Sequence, residues 1–239
     1  MDKLLIRGLM AVALCLMAAP AAAADFDYDW VSAGMLNMYP GQGLIAHGWF
    51  LDGSAAVAPD FTVEGNFYRS ELNGCPPVVS VPNQLQTFGC VAQASNSETY
   101  RLGGGWHRPV AEDADLLVDA YYAHGQSHQS SSIVDFLPLP LGAVCPAPTV
   151  TVKGRCESSS TQDSSGGGYL VDAGLRVRCG CTVEFRGFLG RQHLGETGTA
   201  NFVSGEASYA FTGHWVALFA MSHLSTPQNQ YRLGLRYRF

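Results

Sequence analysis

The sequence predicts an all-β chain, an antiparallel up-and-down transmembrane β-barrel of ten strands, and three observations carry that prediction. Large apolar residues alternate with polar or charged ones at a period of two through segment after segment. No stretch after the N-terminal leader approaches the roughly 18 consecutive apolar residues that a membrane-spanning helix requires. The two faces defined by the alternation fit a soluble barrel poorly, one being too apolar to meet water over so large an area and the other too charged to be a soluble core.

Taken in order, the chain opens with a basic region (Lys3, Arg7), an apolar run Gly8–Met17, and Ala-rich sequence ending at Ala22-Ala23-Ala24 before Asp25. This is the pattern of a cleaved secretory signal over 1–24, leaving 25–239 as one barrel domain. Cys15 lies in the apolar run, but Leu14 stands where a lipoprotein signal needs a small residue, so cleavage after Ala24 is the expectation. Without the leader the chain keeps 12 Arg/Lys against 19 Asp/Glu, a net charge of −7, and Lys153 is its one lysine. An acidic chain with so little lysine excludes nucleic acid as a partner.

Alternation then marks ten strands, at about 28–38, 43–58, 61–71, 99–109, 115–126, 168–178, 182–193, 201–211, 214–224 and 230–239. Eight is the alternative if the first segment or 214–224 is misread. Short turns such as Ala58-Pro59-Asp60, Ala111–Ala114, Cys179-Gly180-Cys181 and Thr212-Gly213 alternate with longer connectors, the longest at 72–98 and 126–167. A barrel with one end in the periplasm and the other outside the cell shows that asymmetry. The last segment is the clearest: Tyr231, Leu233, Leu235, Tyr237 and Phe239 on one side, Arg232, Gly234, Arg236 and Arg238 on the other.

Sorted by parity, one face carries Trp49, Leu51, Phe61, Val63, Phe67, Tyr100, Leu102, Tyr122, Tyr169, Leu175, Val177, Leu189, Tyr209, Trp215 and Phe219, among others. The opposite face holds Asp52, Glu64, Arg101, Asp115, Asp119, Asp172, Arg176, Arg178, Glu184, Arg186, Glu206, Arg232, Arg236 and Arg238. The first face is too apolar to meet water over so large an area, so the second is expected to be the interior. Enclosed charge must be paired, and the planar guanidinium pairs well with carboxylates. A cross-linked lumen is therefore expected, narrowed further by Phe202, Val216 and Leu218.

Six cysteines follow the leader, Cys75, Cys90, Cys145, Cys156, Cys179 and Cys181, all disulfide candidates in an oxidising compartment. Local pairs Cys75–Cys90 and Cys145–Cys156 would each staple a long connector, whereas Cys179 and Cys181 sit in a tight turn where a bridge would be strained, leaving them free or weak metal ligands as alternatives. No metal site, cofactor motif or phosphate-cradling loop is expected; Gly103-Gly104-Gly105 falls inside a strand, where it bends the sheet or makes room for a large neighbour.

Several segments together resemble the small single-chain outer-membrane barrels of Gram-negative bacteria, the opacity-protein and porin-like superfamily. They are Tyr28-Asp29-Trp30-Val31-Ser32-Ala33-Gly34, Ala58-Pro59-Asp60-Phe61, Arg101-Leu102-Gly103-Gly104-Gly105-Trp106-His107 and the terminal Phe239. The chain departs from that family in the length and cysteine content of 72–98 and 126–167. The resemblance implies a cell outer-membrane location, with outer-membrane lipid, periplasmic chaperones and the barrel-assembly machinery as partners. It also makes Tyr231, Leu233, Leu235, Tyr237 and Phe239 similar to the insertion signal of such barrels.

The function expected is non-enzymatic, structural or surface-interacting, with an extracellular partner reached through 72–98 and 126–167. In the second of these, Ser130–Ser132, Ser158–Ser160 and Gly166–Gly168 read as flexible tether, and Ile133–Leu141 as a partner site or a lid. A narrow channel for small solutes is the alternative. An outer-membrane hydrolase is a third reading, with His124, His128, Asp135 and His193 as rim candidates, although rim histidines are usually just solvated, as His47, His107, His214 and His223 are expected to be.

Overall fold

The computed structural model describes residues 26–39, 44–74, 89–135, 150–152, 155–180, 182–195, 198–225 and 228–239, with backbone alone at 89–93, 131–135, 150–152 and 155–159. Among them are eleven strands: β1 (Trp30–Tyr39), β2 (Ala46–Ala58), β3 (Phe61–Gly74), β4 (Gly89–Ala111), β5 (Ala114–Asp135), β6 (Val150–Val152), β7 (Arg155–Cys179), β8 (Val183–Leu194), β9 (Gly198–Ala210), β10 (Trp215–Leu224) and β11 (Asn229–Arg238). Each long strand pairs antiparallel with the next, β5 pairs with β7, and β11 closes on β1. The ring therefore has ten strands, not eight. The three-residue β6 lies outside the ring, paired to the start of β7.

The stagger of the ring follows from its register. From Arg232 the partners Leu36, Gly48, Ser70 and Ser97 lead to Ser127 on β5, whereas Ala220, Glu206, Arg186 and Arg176 lead to Asp115 on the same strand. A stagger of 12 residues over ten strands tilts them by roughly 40°. Each residue then rises about 2.5 Å along the axis, so strands of 10 to 14 residues, such as β1 and β3, span the ~25 Å apolar band of a membrane barrel.

Residues 26–29, Phe239 and the tight reversals at 59–60, 112–113, between β7 and β8, and at 211–214 gather at one rim. Gly180 adopts φ 65 in the β7–β8 reversal, a conformation that strains any residue with a Cβ. At the other rim three strands overshoot. β4, β5 and β7 have 23, 22 and 25 residues, so most of the expected connector 126–167 and the later part of 72–98 are strand. The tether reading is thus corrected. Ser158–Ser165 lies in register with Gln126–Ile133 on β5. Alternation could not reveal it, because a sheet wetted on both faces has no apolar side to repeat. The apolar stretch 136–141 lies outside the described residues.

The exterior matches the expected greasy face: Leu102 is 65 % exposed, Leu189 67 %, Leu233 61 % and Phe239 72 %. Aromatic rings form two rows across this surface. Trp49, Phe67 and Tyr100 follow one another at 4.8 Å on the side of the long strands' overshoot, and Trp215, Tyr237 and Phe239 lie at 5.1 and 5.4 Å beside the chain ends. One outward assignment fails: Val177 is buried, lying in register between Ala114, itself buried, and Phe185 near the β7–β8 turn.

Candidate functional site

The interior is the site that the strands build first. All fourteen residues of the polar face are buried or half-buried in the barrel. Glu184 sits at the centre of the lower lumen, 2.8 Å from Arg176, 3.0 Å from Arg186 and 3.2 Å from Arg238. Glu206 takes Arg236 at 2.7 Å and faces Arg186 at 3.9 Å, so Arg186 links the two carboxylates. Arg232 donates to Asp52 at 2.7 Å and to the Tyr68 hydroxyl at 3.2 Å. These contacts join β2, β3, β7, β8, β9 and β11 across the barrel, which sequence-local pairing could not do.

The charge is also segregated. Glu64, Asp119 and Asp172 lie on β3, β5 and β7, with Asp119 opposite Asp172 and Glu64 accepting from the Tyr121 hydroxyl. Arg186, Arg232, Arg236 and Arg238 lie on β8 and β11. Beyond Arg101 and Arg232 the described inward positions carry no charge: Thr99, Ser97, Ser70, Gln192, Ser222 and Gln230 are typical. Rings fill the middle. Phe50 lies over Gly34 and Gly234, Phe188 over Gly174, and Tyr121 over Gly103, where added Cβ atoms would stand 2.5 to 2.8 Å from the ring carbons. The triple-glycine stretch thus does make room for a large neighbour. The cavity left in the lumen is about 150 Å³, room for a handful of waters.

Sequence reasoning missed the lower closure. Residues 26–29, counted partly as strand, turn into the mouth instead. Arg176 donates to the Asp27 carbonyl at 3.1 Å and stacks on Phe26 and Tyr28 at 4.4 and 4.7 Å. Tyr28 bonds Asp115 and stacks on His107 at 3.6 Å. His107 is therefore a buried member of the cap, not a solvated rim residue. The available signal was Phe26 and Tyr28 alternating with Asp27 and Asp29 just ahead of the first strand.

The rim candidates for hydrolysis are not assembled. His128 bonds Asp163, which the sequence reading did not single out; His193 bonds Thr199 at 3.0 Å, and His124 bonds neither. For Asp135 only the backbone is described. Among the described residues no three His, Cys, Asp or Glu side chains converge as a metal would need. Cys179 is disulfide-bonded, so the free-thiol and metal alternatives do not hold for it. Cys75, Cys145 and Cys181 lie outside the described residues, and Cys90 and Cys156 are described by backbone alone. Cys90 pairs with Val134, and Val134 with Glu157, so Cys90 and Cys156 stand roughly 10 Å apart, beyond bridging distance.

The second feature is the blade formed by the overshoot of β4, β5 and β7. Past Gly168, the last β7 residue paired with β8, the strand continues to Arg155, a rise of about 30 Å. Both blade faces are wet and polar, and Ser127 and Ser164 share a hydroxyl bond at 2.9 Å on one of them. On the other, His128 and Asp163 border a shallow hollow of about 470 Å³ with Asn96, Glu98, Gln126 and Ser165.

No protein-family model and no curated protein matches the chain. Solved structures do. The outer membrane protease OmpT from Escherichia coli is similar over 92 % of this chain and 99 % of its own, at 9 % identity and TM-score 0.47. The NanC porin is similar over 88 % and 100 %, at 10 % identity and 0.43. The attachment invasion locus protein Ail of Yersinia pestis is similar over 90 % and 100 %, at 12 % identity and 0.39. A protease, a porin and an attachment protein have three different roles, so the residues of this chain must carry the functional reading.

Proposed function

We propose that this chain is an integral outer-membrane barrel, closed to solute flow, whose working part is the blade held above the cell surface. Lipid is the solvent that fits an exterior on which Leu102, Leu189 and Leu233 are more than half exposed between two aromatic rows. A closed barrel also satisfies every backbone group within hydrocarbon. The overshoot belongs outside the cell, because the chain ends and tight turns suit the periplasmic rim. Tyr231, Leu233, Leu235 and Tyr237 on the strand that closes the ring, with Phe239 just past its end, support a reading in which the assembly machinery recognises this strand during insertion.

The lumen is the observation that favours a non-channel role. Ion pairs across it, rings over glycines and the 26–29 cap leave a cavity of only about 150 Å³. In a planar bilayer the purified protein should show no steady conductance of porin size; such a conductance would move the proposal to the channel reading. The blade is tested by excising 130–161 and joining Gln129 to Gln162, partners in register, through Asn-Gly. The barrel should still insert and shift on heating in electrophoresis, but lose binding of whole cells to host or neighbouring cell surfaces. Unchanged binding would remove the blade as the working part.

A further inference from the structure

A belt of polar pairs circles the outward face just beyond the outer aromatic row, and its two sides differ in charge. On the β3–β4 side Arg69 is met by Glu71 at 3.4 Å and Glu98 at 3.5 Å, a group left with one net negative charge. From β8 round to β10 the described outward residues at this level include no carboxylate. There Arg191 is exposed and has neither an ion pair nor a hydrogen bond among the described residues. His193, two residues on and so on the same face, bonds Thr199 at 3.0 Å and leans on Tyr169 at 5.7 Å. His223, on β10, approaches the Oδ1 of Asn229 at 2.6 Å. That oxygen can only accept, so Nδ1 donates and Nε2 is left for another partner; a proton taken there makes an imidazolium that donates outward.

An unpaired guanidinium at the edge of an apolar band is costly unless it snorkels to an anion. We propose that Arg191, His193 and His223 form a binding patch for the phosphate groups of outer-leaflet lipid, Arg191 supplying the two-pronged contact and the imidazoles flanking it. A phosphate fits better than a carboxylate, since it offers three oxygens to donors spread over neighbouring strands. The patch rests on the outer-membrane placement above, because only there does this level of the barrel meet headgroups. The net-negative Arg69 group on the far side makes the proposed contact one-sided, and a lipid held at the patch would fix the barrel's orientation toward neighbours in the membrane.

The test uses the folded full chain in detergent micelles, titrated with lipid A bearing two phosphates, with the same lipid after dephosphorylation, and with inorganic phosphate. The readout is the temperature at which the compact band converts to the unfolded one in electrophoresis. Bisphosphorylated lipid should raise it and the other two should not. The combined variant Arg191→Gln, His193→Gln, His223→Gln should need at least roughly tenfold more lipid for the same shift. Arg191→Lys, which keeps the charge and loses the fork, should fall between, and Arg69→Gln should behave as the parent. Equal shifts with dephosphorylated lipid, a shift with inorganic phosphate, or variants that titrate like the parent would each overturn the patch. Recovery of the chain outside the outer-membrane fraction would instead overturn the placement, which the micelle titration does not read.

Discussion

The two ends of β7 share a backbone geometry and differ in everything else. From Leu170 to Arg178 the strand has β5 on one side and β8 on the other, lipid-facing Val171 and Leu175 on one face, and enclosed Asp172 and Arg176 on the other. From Ser158 to Gly167 the same strand pairs with β5, shows no β8 pairing, and carries Ser, Thr, Gln, Asp and Gly. The lower half is over-determined, each residue fixed by two ladders and by unlike solvents on its two faces. The upper half is specified by its ladder and little else, so register there has no hydrophobic pattern to enforce it. Stability and surface chemistry are thus separable in this molecule.

Removing the hub carboxylate should show that separation most strongly. Glu184→Leu strands Arg176, Arg186 and Arg238 in the lumen, and breaking a buried charge network by removing one partner costs about 3–5 kcal/mol. Urea unfolding from lipid vesicles should register a drop of that order. Asp163→Ala, which breaks the exposed His128 pair in the blade, should leave the midpoint where it was. If both variants unfold at the parental midpoint, the lumen network does not hold the barrel together.

The ring seats come next in size. A Cβ at Gly174 would stand 2.3 Å from the Gly187 carbonyl oxygen and 2.5 Å from Cδ1 of Phe188, so Gly174→Ala must displace backbone as well as ring. Overpacking of this kind costs about 1–3 kcal/mol. Gly187→Ala is the control, because nothing lies within 4 Å of its would-be Cβ. Equal loss in the two variants would trace the effect to strand glycine in general rather than to the seat.

What could be read from the sequence divides along the same line. Every charged lumen position was legible from parity, because a wall between lipid and an enclosed interior forces a period of two, and that period survives small errors in strand ends. Val177 escaped it because burial near a turn depends on neighbours as well as parity. The pairing of Glu184 with Arg176, Arg186 and Arg238 was not legible, since it depends on the 12-residue stagger and not on any local spacing. The cap at 26–29 was hidden because Arg176, its anchor, lies far along the chain. The blade was misread as tether because Ser-rich sequence signals flexibility only when nothing pairs with its backbone. The patch around Arg191 needed three strands in register before its lack of a carboxylate became visible.

The smallest effect probes the blade itself. Ser127 and Ser164 are partners in register, and their hydroxyls sit 2.9 Å apart with solvent close by. Replacing both with alanine removes donor and acceptor together, which leaves no unsatisfied group and is close to neutral for stability. Ser127→Ala with Ser164→Ala should therefore keep the unfolding midpoint. Amide hydrogen exchange is the sharper instrument: in the parent, amides at 158–165 should exchange faster than those at 170–177, because local opening follows the number of supporting ladders. The double variant should widen that gap slightly by weakening the one ladder that holds 158–165. Slow exchange at 158–165 would mean that a second ladder covers that edge, and the contrast between the two halves of β7 would then lie in side-chain chemistry alone.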